Sequence, residues 1–170
     1  MTDGYANQAI QSVLNSRQAY CKFLSANDSG ATGGHQSGIL ISKSAKDMMF
    51  TQKLENENIL KRTVEIQWQN DICTQSSFTY YSSKNELRIT KFGRNFPFLN
   101  PDQTGALFVF TRQDDDMYSG FFLETEEYIE QFLGAFGISS TETNRLIDTG
   151  SILPETQEKI AIQEFIDGLT

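Results

Sequence analysis

The segment Thr63-Val64-Glu65-Ile66-Gln67-Trp68-Gln69 carries an apolar side chain at every second position, with polar side chains between them. A period of two is typical of a β-strand that buries one face and leaves the other in solvent. The segment therefore predicts a half-buried strand in the middle of the chain.

Further short strands are expected on both sides of this segment. They lie at residues 19–24, 38–41, 78–82, 86–92, 107–111 and 118–123. Clusters of Gly, Asn, Asp and Pro separate them, and this spacing indicates a β-barrel or sandwich rather than alternating strands and helices.

Helical spacing of apolar residues appears towards both ends of the chain. Helices or helical turns are expected at residues 5–17, 42–50, 128–136, 140–148 and after Pro154. Gly137 follows the third of these segments and is suited to ending a helix. Residues 1–170 are expected to form a single domain whose C-terminal part, about 124–170, is helical.

The charges are distributed unevenly along the chain, whose formal net charge is −8. Residues 1–112 contain 12 Lys and Arg against 9 Asp and Glu, whereas residues 113–170 contain 2 against 13. A basic face for phosphate groups can therefore persist on the first part of an acidic protein. The acidic part is typical of a solvated helical surface.

Other features limit the class of protein. The sequence has no run of about 18 apolar residues and no secretory leader, so a cytoplasmic location is expected, without a membrane partner. Cys21 and Cys73 lack a CxxC spacing and His35 is the single histidine, which argues against a structural zinc site. Both thiols are expected to be reduced and structural, with a disulfide between them as the alternative.

The run Ser-Ala-Asn-Asp-Ser-Gly-Ala-Thr-Gly-Gly-His-Gln-Ser-Gly at residues 25–38 predicts a long loop. A phosphate-binding P-loop needs Lys and then Ser or Thr after its last glycine, but His35 and Gln36 occupy those positions. The loop instead offers a backbone that can approach a ligand closely, next to one imidazole. Alternatively, it is only a surface connection.

Residues 84–94, Lys-Asn-Glu-Leu-Arg-Ile-Thr-Lys-Phe-Gly-Arg, contain four cationic side chains and one anionic side chain. On a strand, Glu86 and Arg88 share one face while Leu87 and Ile89 share the other. Arg can pair with guanine, Asn with adenine and Glu with cytosine, so this face is suited to reading bases in the DNA major groove. Alternatively, it is a solvated strand in which Glu86 pairs with Arg88.

Catalytic motifs are not found. A metal-dependent nuclease of the common type needs a carboxylate after Pro and a second carboxylate two positions before a Lys on a strand. Pro101-Asp102 fits the first part, but Glu158-Lys159 has the wrong spacing and lies in an expected helix. A catalytic triad would have to use His35. The acidic residues from Glu124 to Glu130 are suited to the first turns of a helix.

Two parts of the chain resemble the N-terminal region of the EcoRII-type restriction endonucleases. The first is the run from Leu24 to Gln36. The second comprises Asn85-Glu86, Arg88-Ile89-Thr90, Gly93-Arg94, Asn100-Pro101-Asp102 and Thr104-Gly105-Ala106-Leu107. The resemblance extends in order over about residues 19–110.

This resemblance implies a mixed, mainly β pseudobarrel with flanking α-helices, like the DNA-binding domains of plant auxin-response-type transcription factors. It implies a non-catalytic effector domain without a cofactor, from a larger prokaryotic restriction endonuclease whose separate, covalently linked catalytic domain uses Mg²⁺. The partner would be double-stranded DNA, at a site like the CC(A/T)GG of the family's type member. A complete small nuclease with an unrecognised metal site is the alternative, and a protein-interaction domain acting through its acidic tail is a third reading.

Two arms are implied to enter the major groove from either side: a first arm, residues 28–36, and a second arm, residues 84–88. The residues expected to contact DNA are Asp28, Ser29, Thr32, Gly33, Gly34, His35, Gln36, Lys84, Asn85, Glu86, Arg88, Lys91 and Arg94. Where the type member has further basic residues this chain has Ser82 and Leu87, and Lys84 replaces an Arg, so a weaker phosphate grip is expected.

Overall fold

The computed structural model of the chain describes residues 4–29, 38–50, 59–81, 83–93, 96–113 and 117–147. The described helices are α1 (Tyr5–Leu14), α2 (Ala26–Ser29), α3 (Lys46–Met49) and α4 (Glu126–Phe136). The described strands are β1 (Gln18–Phe23), β2 (Ile39–Ile41), β3 (Ile59–Trp68), β4 (Cys73–Tyr81), β5 (Glu86–Thr90), β6 (Leu107–Arg112), β7 (Tyr118–Leu123) and β8 (Arg145–Leu146). Single 3-10 turns cover Lys43–Ala45, Gln69–Asp71 and Pro101–Gln103.

The eight strands form one sheet in the order β2-β5-β4-β3-β7-β6-β1-β8. Neighbouring strands are antiparallel except for β3 and β7, which run parallel. Side chains of β1 donate to or accept from the backbone of β2 and of Ser42, so the sheet curls until β2 lies beside β1. The expected mixed, mainly β fold of barrel type is confirmed.

All seven predicted strands are present, and two are longer than the sequence indicates. β3 and β4 pair over nine positions, from Ile59↔Tyr81 to Gln67↔Cys73. Residues 73–77 are Cys, Thr, Gln, Ser and Ser, which have no apolar alternation. Their strand conformation is set by hydrogen bonding to β3, so the sequence pattern does not reveal it.

Alternation along the strands divides the apolar residues between two faces of the sheet. On β6, Phe108 and Phe110 belong to the cluster inside the curl, whereas Leu107 and Val109 belong to the cluster formed with α1 and α4. The two helices therefore cover the outside of β1, β6 and β7. This arrangement leaves β2, β4 and β5 to form the other side of the barrel.

Trp68 lies at the end of β3 and packs inside the curl. Its ring stacks on Phe122 with a centroid distance of 5.3 Å, and its Nε1 donates to Thr74 Oγ1 at 2.8 Å. Gly120 is the residue that allows this position, because a Cβ there would lie 2.3 Å from the indole ring. The buried tryptophan therefore depends on a glycine in the neighbouring parallel strand.

Helix α4 has signals at both ends that agree with the prediction. Thr125 Oγ1 accepts a hydrogen bond from Tyr128 N at 3.1 Å, and Glu126 and Glu127 lie in the positively polarised first turn. Gly137 ends the helix in the left-handed conformation, with a φ of 64°.

Three local predictions are wrong. The helix expected at residues 140–148 is absent from its described part, residues 140–147; a turn and a bend occupy residues 140–142 and β8 follows, paired to β1 as Tyr20↔Leu146. Short polar side chains replace helical bonds there, as when Thr141 N donates to Ser139 Oγ at 3.4 Å. The expected loop after residue 24 begins with α2, and Cys73 is exposed rather than structural.

Residues 148–170 lie outside the described residues, so the helix after Pro154 and most of the expected helical C-terminal part stay predictions. Within the described residues, none of the helices combines the length and the apolar character that crossing a membrane requires.

Candidate nucleic-acid interface

Strand pairing places the strand that follows the first arm beside the strand that carries part of the second arm. Along the chain, Gly38 and β2 follow the first arm, and the second arm includes the first three residues of β5. β2 and β5 pair antiparallel, with Leu40 opposite Arg88 and Ile41 opposite Leu87. Two stretches that are distant in sequence therefore meet on adjacent strands.

Gly38 is the joint between the first arm and β2. Its φ is +94°, and a Cβ would lie 2.1 Å from the carbonyl oxygen of Ile89. Only glycine adopts this backbone conformation readily and leaves room for β5. The close approach of the two strands therefore depends on this residue.

Arg88 has a guanidinium group that is only partly engaged. Its Nη2 donates to Glu86 Oε2 at 3.2 Å, and 14% of its side chain is exposed. Its Nη1 is buried and has no hydrogen-bond partner in the described part of the chain. A buried donor without a partner costs about 1–3 kcal/mol, which an incoming acceptor would recover. The Glu86–Arg88 ion pair expected for a solvated strand is thus present, but the Nη1 donor of Arg88 is not used by it.

The tip of the second arm is exposed and supported from below. Lys84 and Asn85 are exposed, and Asn85 takes a left-handed conformation with a φ of 54°. Tyr80 Oη donates to Asn85 Oδ1 at 2.8 Å, and Lys46 Nζ lies 4.0 Å from the centre of the Tyr80 ring. Lys91, at the end of β5, is exposed as well.

The described residues of the first arm face the protein. Asp28 has no exposed surface; its carboxylate pairs with Lys22 Nζ at 2.7 Å and accepts from Leu40 N at 3.1 Å. Ser29 is 1% exposed, and its Oγ lies 2.5 Å from Thr104 Oγ1. Both residues were expected to contact DNA. In this conformation their side chains instead anchor the start of the first arm, which we call its root, to the rest of the protein.

The other predicted contact residues cannot be placed. Thr32, Gly33, Gly34, His35, Gln36 and Arg94 lie outside the described residues.

Two cationic side chains next to the arms were not identified from the sequence. Lys22 is buried on β1, and Lys43 is exposed on the turn that follows β2. Both line a cleft of about 210 Å³, together with Asn85 and Glu86 of the second arm. A charged residue within the apolar run Ala19-Tyr20-Cys21-Lys22-Phe23 is the signal that could have marked Lys22.

The thiols are not arranged as nucleophiles. Burial raises the pKa of Cys21 to about 12. The hydrogen bond that the Cys73 thiol donates to Glu65 Oε1, at 2.9 Å, raises the pKa of Cys73 to about 11. Both cysteines are free. Among the described residues, no group of three or more His, Cys, Asp and Glu could hold a metal ion.

Comparisons with known proteins agree with the expected family and fold. The family model for the N-terminal part of restriction endonuclease EcoRII matches residues 13–141. The type II restriction enzyme EcoRII of Escherichia coli is 31% identical over 114 residues, which are 61% of this chain. The match spans only 28% of the length of that relative.

Among solved structures, the chain is similar to the B3 domain of the UbaLAI restriction endonuclease, whose structure contains its cognate DNA. The sequence identity is 19% and the TM-score 0.52, over 84% of this chain and 94% of the other. This likeness supports the pseudobarrel fold.

Proposed function

Since the chain belongs to the family of EcoRII N-terminal domains, we propose that it binds a short, specific sequence of double-stranded DNA through its two arms. The pairing of β2 with β5 carries this proposal, because it joins the first arm to the strand that presents Glu86 and Arg88. The UbaLAI relative of the same fold was solved with cognate DNA, which supports the choice of ligand.

Arg88 is proposed to read a guanine. Nη1 is buried without a hydrogen-bond partner among the described residues, and once the side chain turns outward a major-groove acceptor such as guanine O6 or N7 can satisfy this donor. Glu86 holds the other terminal nitrogen and so fixes the plane of the guanidinium. A carboxylate next to that guanidinium can accept from cytosine N4, so the pair suits sites with C and G such as CC(A/T)GG.

Lys84 and Lys91 are proposed to contact phosphates. Both are exposed; Lys84 lies in the turn before β5, and Lys91 directly follows β5. Phosphate contacts set affinity and register but carry little sequence information. Selectivity is therefore assigned to Glu86, Arg88 and the residues at the tip of the first arm.

The domain is proposed to act as the non-cutting recognition part of a larger restriction endonuclease. A linked catalytic domain would then cleave DNA with Mg²⁺, and this chain would need no cofactor of its own. This assignment rests on membership of the EcoRII N-terminal family, because the match covers about a quarter of that relative.

The test is a selection of bound duplexes from a random pool, followed by Kd measurements on the selected sequence and on a scrambled duplex at one fixed salt concentration. A preference of at least about a thousandfold is expected for a specific site. Equal affinity for both duplexes would refute sequence recognition. Incubation of the selected duplex with the chain and Mg²⁺ should leave it uncut, and cleavage would favour a complete small nuclease.

A further inference from the structure

The free edge of β2 is held by side chains rather than by a strand. β2 stands at one end of the sheet order, with β5 as its paired neighbour. On the other edge, Lys22 Nζ donates to Leu40 O at 2.8 Å and Leu40 N donates to Asp28 Oδ1 at 3.1 Å. Ser42 N donates to Tyr20 Oη at 3.1 Å. We call the side chains of Tyr20, Lys22 and Asp28 the clasp.

The clasp lies between β1 and β2, at the place where backbone hydrogen bonds between these two strands would close the barrel. Lys22 reaches the backbone of Leu40 and Tyr20 reaches that of Ser42, so β1 and β2 run side by side in opposite directions. The Tyr20 hydroxyl also donates to Asn144 Oδ1, which ties the clasp to the residue before β8. Three directed side chains thus replace a continuous set of backbone bonds.

The charged part of the clasp is buried and fully engaged. Lys22 is 8% exposed and Asp28 has no exposure. Asp28 Oδ2 pairs with Lys22 Nζ at 2.7 Å and also accepts from Ser25 N at 3.0 Å, while Oδ1 accepts from Leu40 N. A buried pair of this kind is rigid, because moving either partner leaves an uncompensated charge.

The clasp joins the two arms. Asp28 belongs to the root of the first arm, and it bonds to the backbone of Leu40, which is paired with Arg88. One hydrogen bond and one strand pairing therefore connect the first arm to the base-reading residue of the second arm.

We infer that the clasp sets the spacing of the two arms, and that Lys22 and Asp28 are positioning residues for sequence selectivity without themselves contacting DNA. The inference rests on the proposed function. It gives Asp28 a different role from a DNA contact and adds Lys22, whose ammonium group is turned inward to Asp28 and Leu40 O.

The experiment compares Asp28→Asn, Lys22→Met and Tyr20→Phe in the full chain. Arg145→Met is the matched control, because it breaks an exposed pair with Glu142 Oε2, at 3.0 Å, on the strand next to the clasp but removes none of the clasp's own contacts. Kd values are measured on the selected and the scrambled duplex across a salt series. The temperature is kept where circular dichroism shows each variant to be folded.

The selectivity ratio is the Kd on the scrambled duplex divided by the Kd on the selected duplex. Asp28→Asn and Lys22→Met are expected to reduce this ratio by about tenfold, which is within the range for loss of one bidentate base contact. The affinity for the scrambled duplex and the salt slope should stay unchanged, since no phosphate contact is removed. Tyr20→Phe removes no charge and keeps the aromatic packing, so it provides a folded variant if the others unfold. It should reduce the ratio less, and Arg145→Met not at all.

A fall in thermal stability with an unchanged Kd ratio in all three folded clasp variants would overturn the inference, because the clasp would then be only structural. A lower salt slope for Lys22→Met would overturn it too, since Lys22 would be a phosphate contact. A wild-type chain that fails to discriminate between the duplexes would instead refute the proposed function itself.

Discussion

The two sides of the barrel both bury apolar residues but differ in what is added to that packing. On the side of β1, β6 and β7, helices α1 and α4 bury a continuous apolar cluster that includes Phe132 and Leu133. On the side of β2 and β5, Ile39, Ile41, Leu87 and Ile89 are buried in the cluster inside the curl, and directed contacts of Lys22, Asp28 and Arg88 are added to this packing. Apolar burial stabilises in proportion to area and tolerates small shifts, whereas hydrogen bonds and ion pairs require defined positions. The comparison teaches that stability and recognition can be altered separately in this chain.

The largest expected effect is on stability, from Phe132→Ala in the helix-covered side. Phe132 has no exposed surface, so the change should lower the free energy of unfolding by about 3–5 kcal/mol. Denaturant unfolding measures this loss. Glu130→Ala, an exposed change on the same helix, should stay within about 0.5 kcal/mol. A large loss of selectivity in folded Phe132→Ala would break the separation of the two sides.

Gly38→Ala should affect both properties, because it lies at the joint of the first arm. The left-handed φ and the contact of 2.1 Å with Ile89 O predict a loss of about 3 kcal/mol in stability, together with loss of selective binding. Gly93→Ala is the control, since its φ is also positive, at +82°, but a Cβ there meets no atom of the described residues within 4 Å. Similar effects of the two changes would show that strain alone, and not the close pairing of β2 with β5, is responsible.

Arg88→Ala and Lys91→Ala should separate base reading from phosphate contact. Arg88→Ala is expected to cost about 1–3 kcal/mol on the selected duplex and to relax selectivity. Lys91→Ala should weaken binding to all duplexes alike and lower the salt slope by about one. Titrations of both variants on selected and scrambled duplexes provide the measurement. Equal effects on both duplexes from Arg88→Ala would contradict the division of roles.

The smallest expected effect uses the two cysteines as reporters of the two sides. Cys73 is exposed, but the hydrogen bond to Glu65 raises its pKa to about 11, so little thiolate forms at pH 8. Glu65→Gln should lower that pKa and accelerate labelling by iodoacetamide about threefold for each unit of pKa, because the larger thiolate fraction outweighs the lower nucleophilicity of each thiolate. Cys21 should be labelled only on unfolding, because it is buried under the helices.

Cys73→Ser provides the control for this labelling. It should leave only the slow reaction of Cys21, whose rate then follows global unfolding. An unchanged rate in Glu65→Gln would show that the carboxylate does not control the Cys73 thiol.

Much of the fold could be predicted from the sequence where burial is one-sided. β6, β7 and α4 have clear periods because one face of each packs on an apolar cluster. β8 and α2 were missed, since they are short, polar and held by partners far away in the chain. The local pattern of apolar and polar residues carries no information on contacts between residues that are distant in the sequence.

The site was predictable to a similar extent. Alternation along residues 86–90 placed Glu86 and Arg88 on one face, and the structure pairs them. The roles of Asp28 and Lys22 were not predictable, because their partner Leu40 is defined only when β2 docks beside β1. Burial distinguishes the residue that anchors an arm, such as Asp28, from exposed residues such as Lys84, and the sequence motif does not make this distinction.

The pairing of β1 with β6 and β8 also bears on how quickly the chain folds. Gln18 and Arg112 are bonded across 94 positions, and Tyr20 and Asn144 across 124. Closing such long loops costs entropy before any stabilising contact forms, and proteins rich in distant strand pairings fold in milliseconds to seconds rather than microseconds. Pairing β1 with its two distant neighbours is therefore expected to slow folding, and stopped-flow refolding measures this rate.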